Sequence, residues 1–151
     1  MNCIRTAVPA DAARLAEIEI FNYRLNFYPI FRNDAFYFSE LQVPALMADY
    51  LAKPGLLADT FVYDDGAVKG FLRMEGKQVK KLFVEPVLQG NGIGSALLQH
   101  AVASFGAEGL WALEKNVRAI AFYERHGFFP TGERMPEEDT EEYLVFLKRN
   151  E

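Results

Sequence analysis

The sequence predicts an α/β domain, and three observations predict it. A strand-like run, a glycine loop, a helical stretch and a second short apolar run follow one another between Val79 and Leu113. Two strand-like segments joined by Asp64-Asp65-Gly66 come just before them. Ahead of those, apolar residues recur at helical spacing in two separate segments. The length of 151 residues is that of one domain able to bury a full core, and no linker, repeat or low-complexity tract divides residues 1–151.

In chain order, Cys3 to Val8 has the content of a short strand, and Pro9-Ala10-Asp11 makes a turn in which Asp11 is placed to cap a helix. The helix is expected to run to about Asn22, with Ala12, Leu15, Ala16 and Glu19 along one side and Ile18 and Phe21 widening its apolar face. Phe21 to Phe38 is crowded with aromatic residues and broken by Pro29 and Arg32-Asn33-Asp34. It reads either as packing for a loop beneath a helix or as the lining of a substrate pocket. Ser39 or Pro44 begins a second helix that reaches about Ala52, and Pro54-Gly55 ends it.

From there the period becomes strand-like. Thr60 to Tyr63 and Ala67 to Met74 flank a hairpin turn in which Gly66 supplies positive φ, and Gly76-Lys77 turns the chain into Gln78 to Val84. Pro86 cannot donate to a ladder and closes that strand. After the glycine loop, Ile93, Leu97, Leu98, Ala101, Val102 and Phe105 mark a helix that Gly106 terminates. Leu110 to Leu113 is then expected to lie parallel to Val79–Val84, because a strand, helix and strand in succession make a crossover. Asn116 at the N-cap and Gly127 at C′ bound the last helix, Val117 to His126. Phe128 to Thr131 and Tyr143 to Leu147 complete the sheet as a hairpin around the acidic loop Met135 to Glu142, a solvated loop or an attractor of a cationic amine.

Composition excludes several classes. Apolar residues make up 50% and charged residues 25%, an ordinary globular balance. Sixteen basic against 21 acidic residues give a formal charge of −5 without a basic run, which argues against nucleic acid as a partner. The single cysteine, Cys3, allows no internal disulfide and is expected in or near the first strand, not as a catalytic thiol. No apolar stretch approaches the ~20 residues of a membrane span, and no secretory segment opens the chain, so a cytoplasmic protein is expected. No His, Cys and carboxylate cluster has metal-ligand spacing.

The chemistry centres on Gln89-Gly90-Asn91-Gly92-Ile93-Gly94-Ser95. A helix that starts here points unpaired N–H groups and its positive dipole end into the loop, and glycines let an anion approach the backbone. The nucleotide-triphosphate loop is excluded, because no Lys-Ser or Lys-Thr follows Gly94. A dinucleotide-binding turn is a rival, with Glu114 about where a ribose ligand belongs. Too little chain follows to build that fold.

This loop resembles the Gln/Arg-x-x-Gly-x-Gly/Ala signature of the GNAT superfamily of acyl-CoA-dependent N-acetyltransferases. The segment from Asn116 through Ala119, Phe122 and Tyr123 to Gly127-Phe128 resembles that family's second signature, Asn-x-x-Ala-x-x-Phe-Tyr-x-x-x-Gly-Phe. The resemblance implies a mixed, mostly antiparallel sheet with a central parallel pair that splays apart around acetyl-CoA, the acyl donor. It implies that the donor is held by Leu82, Phe83 and Val84, by the loop residues Gln89, Gly90, Asn91, Gly92, Ile93, Gly94 and Ser95, and by Asn116, Ala119 and Tyr123.

Acyl transfer from a thioester to an amine needs a neutral amine, a donor to the developing oxyanion and a proton for the leaving thiolate. The amide of Phe83 or of Val84 is the candidate oxyanion donor. Tyr123, a phenol protonated at neutral pH, is the candidate acid for the thiolate. Trp111 stands where several family members carry a basic Glu, so Glu75, Glu114 or a water chain is left for that role. His100 and His126 read as structural. The expected partner is an amine of a small molecule or peptide, with a homodimer through the C-terminal strand edge as a possible assembly. An acyl-CoA sensor and a dinucleotide-binding protein are the alternative functions.

Overall fold

The structure, a computed structural model, describes residues 3–150. Seven strands, β1 (Ile4–Thr6), β2 (Thr60–Asp64), β3 (Val68–Glu75), β4 (Gln78–Val84), β5 (Gly109–Leu113), β6 (Phe128–Pro136) and β7 (Tyr143–Arg149), form one sheet in the order β1-β2-β3-β4-β5-β7-β6. Among the described residues only β4 and β5 run parallel, and they share a single ladder position, Gln78 opposite Gly109. Beyond it the two strands diverge. The other neighbours are antiparallel, with β5 paired to β7 along its whole length from Gly109 to Leu113.

Helices cover both faces, and alternation along β3 assigns the core to each. Phe71 packs with Leu15 and Ile18 of α1 (Ala12–Asn22) and Tyr50 of α3 (Val43–Ala52), while Leu72 packs with Leu97 and Leu98 of α5 (Ile93–Phe105). Successive strand residues point to opposite faces, so each of the two layers receives every second side chain. β4 departs from that rule at one place. Arg73 pairs with Lys81 but Met74 pairs with Val79, so Lys80 is an extra residue in a bulge. The bulge puts Val79 on the α5 face and turns Lys81 and Phe83 toward α1.

The N-terminal half differs from its sequence reading in several respects. Asp11 does not cap α1 but ends a 3-10 turn, Pro9–Asp11, and its carboxylate accepts from the Val8 amide (2.8 Å) and from Arg5 (2.8 and 3.0 Å). Phe21 is exposed and does not widen the buried face, which Ile18 and Ile20 fill instead. The aromatic segment is not a loop. A π-helical turn, Tyr23–Phe27, continues α1 into α2 (Tyr28–Phe31), and a second wide turn, Phe36–Glu40, follows. Pro29 explains the first of them: without an N–H it cannot bond back four residues, so the chain shifts register ahead of it, and the Tyr28 amide reaches Tyr23.

Pro54 opens a further short helix, α4 (Pro54–Ala58), where the sequence suggested a stop; Pro at a first turn lacks an N–H that would be unpaired anyway. Met135 and Pro136 belong to β6 and not to the acidic loop. The C-terminal strand β7 lies between β5 and β6, so it offers no edge for a second copy; the edges are β1 and β6. Cys3 is half-buried beside β1. No helix among the described residues is long and apolar enough to cross a membrane.

Candidate active site

The divergence of β4 from β5 opens a cavity of about 1000 Å³ bounded by the ends of both strands, the glycine loop, α6 (Val117–Arg125) and the aromatic segment. That volume suits a large cofactor with part of its acceptor. Backbone direction decides which amide faces the gap. The Glu85 amide bonds to Lys69 of β3 (2.9 Å), so Glu85 and Phe83 point toward β3, while Leu82 and Val84 point toward the side where β5 has moved away. The Val84 carbonyl confirms the direction by accepting from the Asn22 amide at 2.9 Å and from Gln89 at 3.2 Å. Of the two oxyanion candidates, only the Val84 amide faces the gap; the Phe83 amide serves the ladder.

The loop is built by two glycines in the left-handed region, Gly90 (φ 87°) and Gly92 (φ 84°), the second being the N-cap of α5. Gly94 lies within α5 against α6, where a Cβ would stand 3.4 Å from the Phe122 ring, an ordinary packing contact. Among the described residues, the Gly90 to Ser95 amides meet no protein acceptor, and the first bond of the helix runs from Ala96 to Gly92 (3.0 Å). These amides and the helix dipole converge on one place, the physical basis of an anion site. Gln89 does not reach into it; its side chain bonds Asn22 (3.1 Å) and Val84, bracing the loop against α1. The Asn91 side chain bonds the Leu88 carbonyl at 2.9 Å.

On α6, Asn116 caps the helix by accepting from the Ala119 amide at 3.3 Å. Asn116→Ala is expected to cost about 1 kcal/mol, read as a lower midpoint in urea unfolding at unchanged slope. Tyr123 lines the cavity, and burial pushes its phenol well above the usual range. It therefore stays protonated at neutral pH and is able to donate a hydrogen bond into the cavity, while giving up the proton outright is unfavourable. Ala119 and Ile93 also line or border the cavity. His126 gives Nδ1–H to the Phe122 carbonyl (2.8 Å), which leaves Nε2 to accept from the Ser95 hydroxyl (2.9 Å). This link fastens the start of α5 to the end of α6. Arg118 and Arg125 bring positive charge to the same cavity.

The opposite wall holds what the sequence reading missed. Glu19 is 2% exposed, and its carboxylate accepts from Lys81 (2.6 Å) and Tyr23 (2.7 Å) on one oxygen and from Tyr50 (2.6 Å) on the other. Arg73, itself buried, bonds Tyr50 and gives Nε–H to Thr60 at 3.0 Å. Burial alone would raise the Glu19 carboxyl, but the Lys81 charge and the three donors hold it below the ordinary carboxylate range. Nearby, Glu137, Glu138 and Asp139 of the β6–β7 turn enter the cavity wall, and Glu137 reinforces burial in raising the Tyr37 phenol.

The structure thus gathers Leu82, Phe83, Val84, Asn116, Ala119, Tyr123 and the loop around one cavity, except for Asn91, which lies outside the cavity wall. Neither Glu75 nor Glu114 lies in its wall: Glu75 is exposed near Lys80 (3.8 Å), and Glu114 pairs with Arg134 (2.8 Å) outside it. The His100 ring packs on Phe61 and Phe105 behind α5. Glu19 carried one signal in the sequence, a carboxylate set among the apolar positions of a helix, and no helix buries such a group without partners.

Residues 57–130 match the family model described as an acetyltransferase (GNAT) domain. The peptidyl-lysine N-acetyltransferase YjaB of Salmonella typhimurium is 32% identical over 91 residues, 60% of this chain and 61% of the relative. The match therefore spans about three fifths of that relative's length. The solution structure of apo-form YjaB from Escherichia coli superposes with a TM-score of 0.75 at 22% identity, covering 96% of this chain and 95% of that one. The paia N-acetyltransferase of Thermoplasma acidophilum, solved in complex with coenzyme A, superposes with a TM-score of 0.67 at 18% identity, covering 96% and 97%. At these identities the two structures speak for the fold.

Proposed function

We propose that this chain, whose residues 57–130 match the acetyltransferase (GNAT) domain model, moves an acetyl group from acetyl-CoA to a primary amine by direct attack. The observation that carries the reading is the coincidence in one cavity of the unpaired loop amides, the Val84 amide at the strand gap and the Tyr123 hydroxyl. The amides of Gly90 to Ser95 grip the pyrophosphate, with Gln89 bracing the loop and Arg118 and Arg125 adding charge complementarity. The pantetheine arm lies along Leu82 and Val84 between the splayed strands, alongside Ile93, Asn116 and Ala119. Val84 N–H donates to the thioester oxygen, whose negative charge grows in the tetrahedral state. Tyr123 donates to sulfur as it leaves.

For the acceptor we infer a lysine-type amine, on a peptide or a small molecule. Relatives are named for peptidyl-lysine, and Glu137, Glu138 and Asp139 in the cavity wall suit a cation at its mouth. We take residues 1–151 as one such domain, acting without metal in the cytoplasm. The dinucleotide alternative is not supported, because only one pair of strands runs parallel.

The test combines calorimetry with CoA and acetyl-CoA and a thiol-release assay on a panel of lysine peptides, polyamines and α-amines. Acetyl-CoA is expected to bind and to release CoA with at least one amine of the lysine type. Binding without turnover on any amine makes the protein an acyl-CoA sensor instead. Absence of binding at millimolar concentration overturns both readings.

A further inference from the structure

The transferase reading leaves the acceptor's proton without a destination, since both carboxylates singled out in the sequence lie outside the cavity. Amines of the lysine type are cationic at neutral pH, with a pKa of about 10.4, and must lose a proton before they attack. On the α1 side of β4, two residues of the buried cluster line the cavity, Tyr23 and Lys81, and the Tyr23 hydroxyl accepts from the Lys81 ammonium at 2.8 Å. Behind them lies Glu19, held by both and away from solvent. The Tyr23 ring stands edge-on to Phe83, with centroids 5.5 Å apart, so the hydroxyl belongs to the neighbourhood of the strand whose next residue is Val84.

Resting on the acetyl-transfer reading, we propose that Tyr23 and Glu19 form the proton exit for the acceptor amine. The ammonium N–H bond breaks and its proton passes to the Tyr23 oxygen, while the Tyr23 O–H proton passes to the Glu19 carboxylate, which becomes a carboxylic acid. The freed nitrogen pair attacks the thioester carbon. The second proton that nitrogen loses as the amide forms balances the one taken up by the departing sulfur; Glu19, which Lys81 and its donors hold below the ordinary carboxylate range, keeps its proton only transiently and returns it to solvent through Tyr23.

Four features support this assignment. Tyr23 donates to Glu19, the direction a relay toward the carboxylate requires. Burial first, and Glu19 second, raise the Tyr23 phenol, so the relay always holds its proton. Lys81 and Arg73 carry two positive charges against the one negative charge of Glu19, with Tyr50 neutral between them, and the excess positive charge opposes an ammonium in the adjoining space. Finally, the bulge at Lys80 is what turns Lys81 toward Glu19, and bulges beside sites re-aim side chains in this way.

Tyr23→Phe keeps the ring against Phe27 and Phe83 and removes only the hydroxyl. Acetyl-CoA affinity is expected to change little, while the melting temperature falls by a few degrees because the buried Glu19 carboxylate loses one of its three donors. At neutral pH kcat falls roughly tenfold to thirtyfold, and the deficit shrinks as pH rises toward the amine pKa, where neutral acceptor is supplied by solvent. A deficit that is constant across pH, or activity within about twofold of the parent at every pH, overturns the relay while leaving acetyl transfer intact. If Tyr23→Phe loses its fold, Glu19→Gln read by the same pH profile decides. A parent protein that binds acetyl-CoA and turns over no amine overturns the transferase reading, and the relay with it.

Discussion

Tyr123→Phe is expected to lower kcat by about 100-fold while the dissociation constant of acetyl-CoA stays within about twofold. The ring occupies a packed position beside Phe122 and Phe128, and the substitution leaves that packing in place. On the acetyl-transfer reading, what it removes is the phenolic donor for the sulfur that acquires charge as the tetrahedral state collapses. Because burial raises the phenol, the hydroxyl stays protonated through the working range, and the deficit is expected to be flat from roughly pH 6 to pH 9. This flatness separates it from Tyr23→Phe, whose deficit tracks the protonation of the amine. Stopped-flow acetyl-CoA consumption across pH, with calorimetric binding as the control, measures both quantities. Full activity of Tyr123→Phe at every pH removes the residue from the mechanism.

Glu19→Ala is expected to destabilise the protein by about 2 to 4 kcal/mol, because it strands a half-buried ammonium and two phenols that now donate to the carboxylate. Urea unfolding reads the loss. Replacing both Glu19 and Lys81 with apolar residues is expected to recover much of it, since the cost lies in the orphaned charge and not in the missing pair. The pH dependence has a definite sign. Glu19 is held below its unfolded value of about 4.3, so its contribution is complete above that pH and lost as pH falls through the lower folded value. The parent protein therefore loses stability in acid more steeply than the double variant.

The donor half of the site is written in short-range chemistry, which is why it was legible. Gly90 and Gly92 are where positive φ is needed, Asn116 is where a cap is needed, and the hairpins fall where Gly66 and Gly76 permit them. The parallel pairing of β4 with β5 followed from one crossover. The acceptor half depends on contacts between distant positions. Glu19 meets Tyr50 and Lys81, 31 and 62 residues away, and a single helical turn carries no record of either partner. The bulge at Lys80 is marked by neither Gly nor Pro, so simple alternation puts Lys81 on the wrong face. Pro29 and Arg32-Asn33-Asp34 look alike as breaks, but only the second is one: the chain absorbs Pro29 by widening a turn, while α2 ends at Phe31 with Arg32 in the left-handed region, and a second wide turn follows at Phe36–Glu40. Strand order was hidden for a similar reason: a hairpin between β6 and β7 is local, but which of the two meets β5 is decided by how each packs.

The lone bridge between Gln78 and Gly109 divides the sheet into a four-stranded leaf and a three-stranded leaf that meet along an unstitched seam. A thioester arm lying in that seam takes the place of the rungs that a continuous sheet would supply. On the acetyl-transfer reading, donor binding and cohesion of the two leaves become a single variable, so acetyl-CoA is expected to raise the melting temperature of the protein.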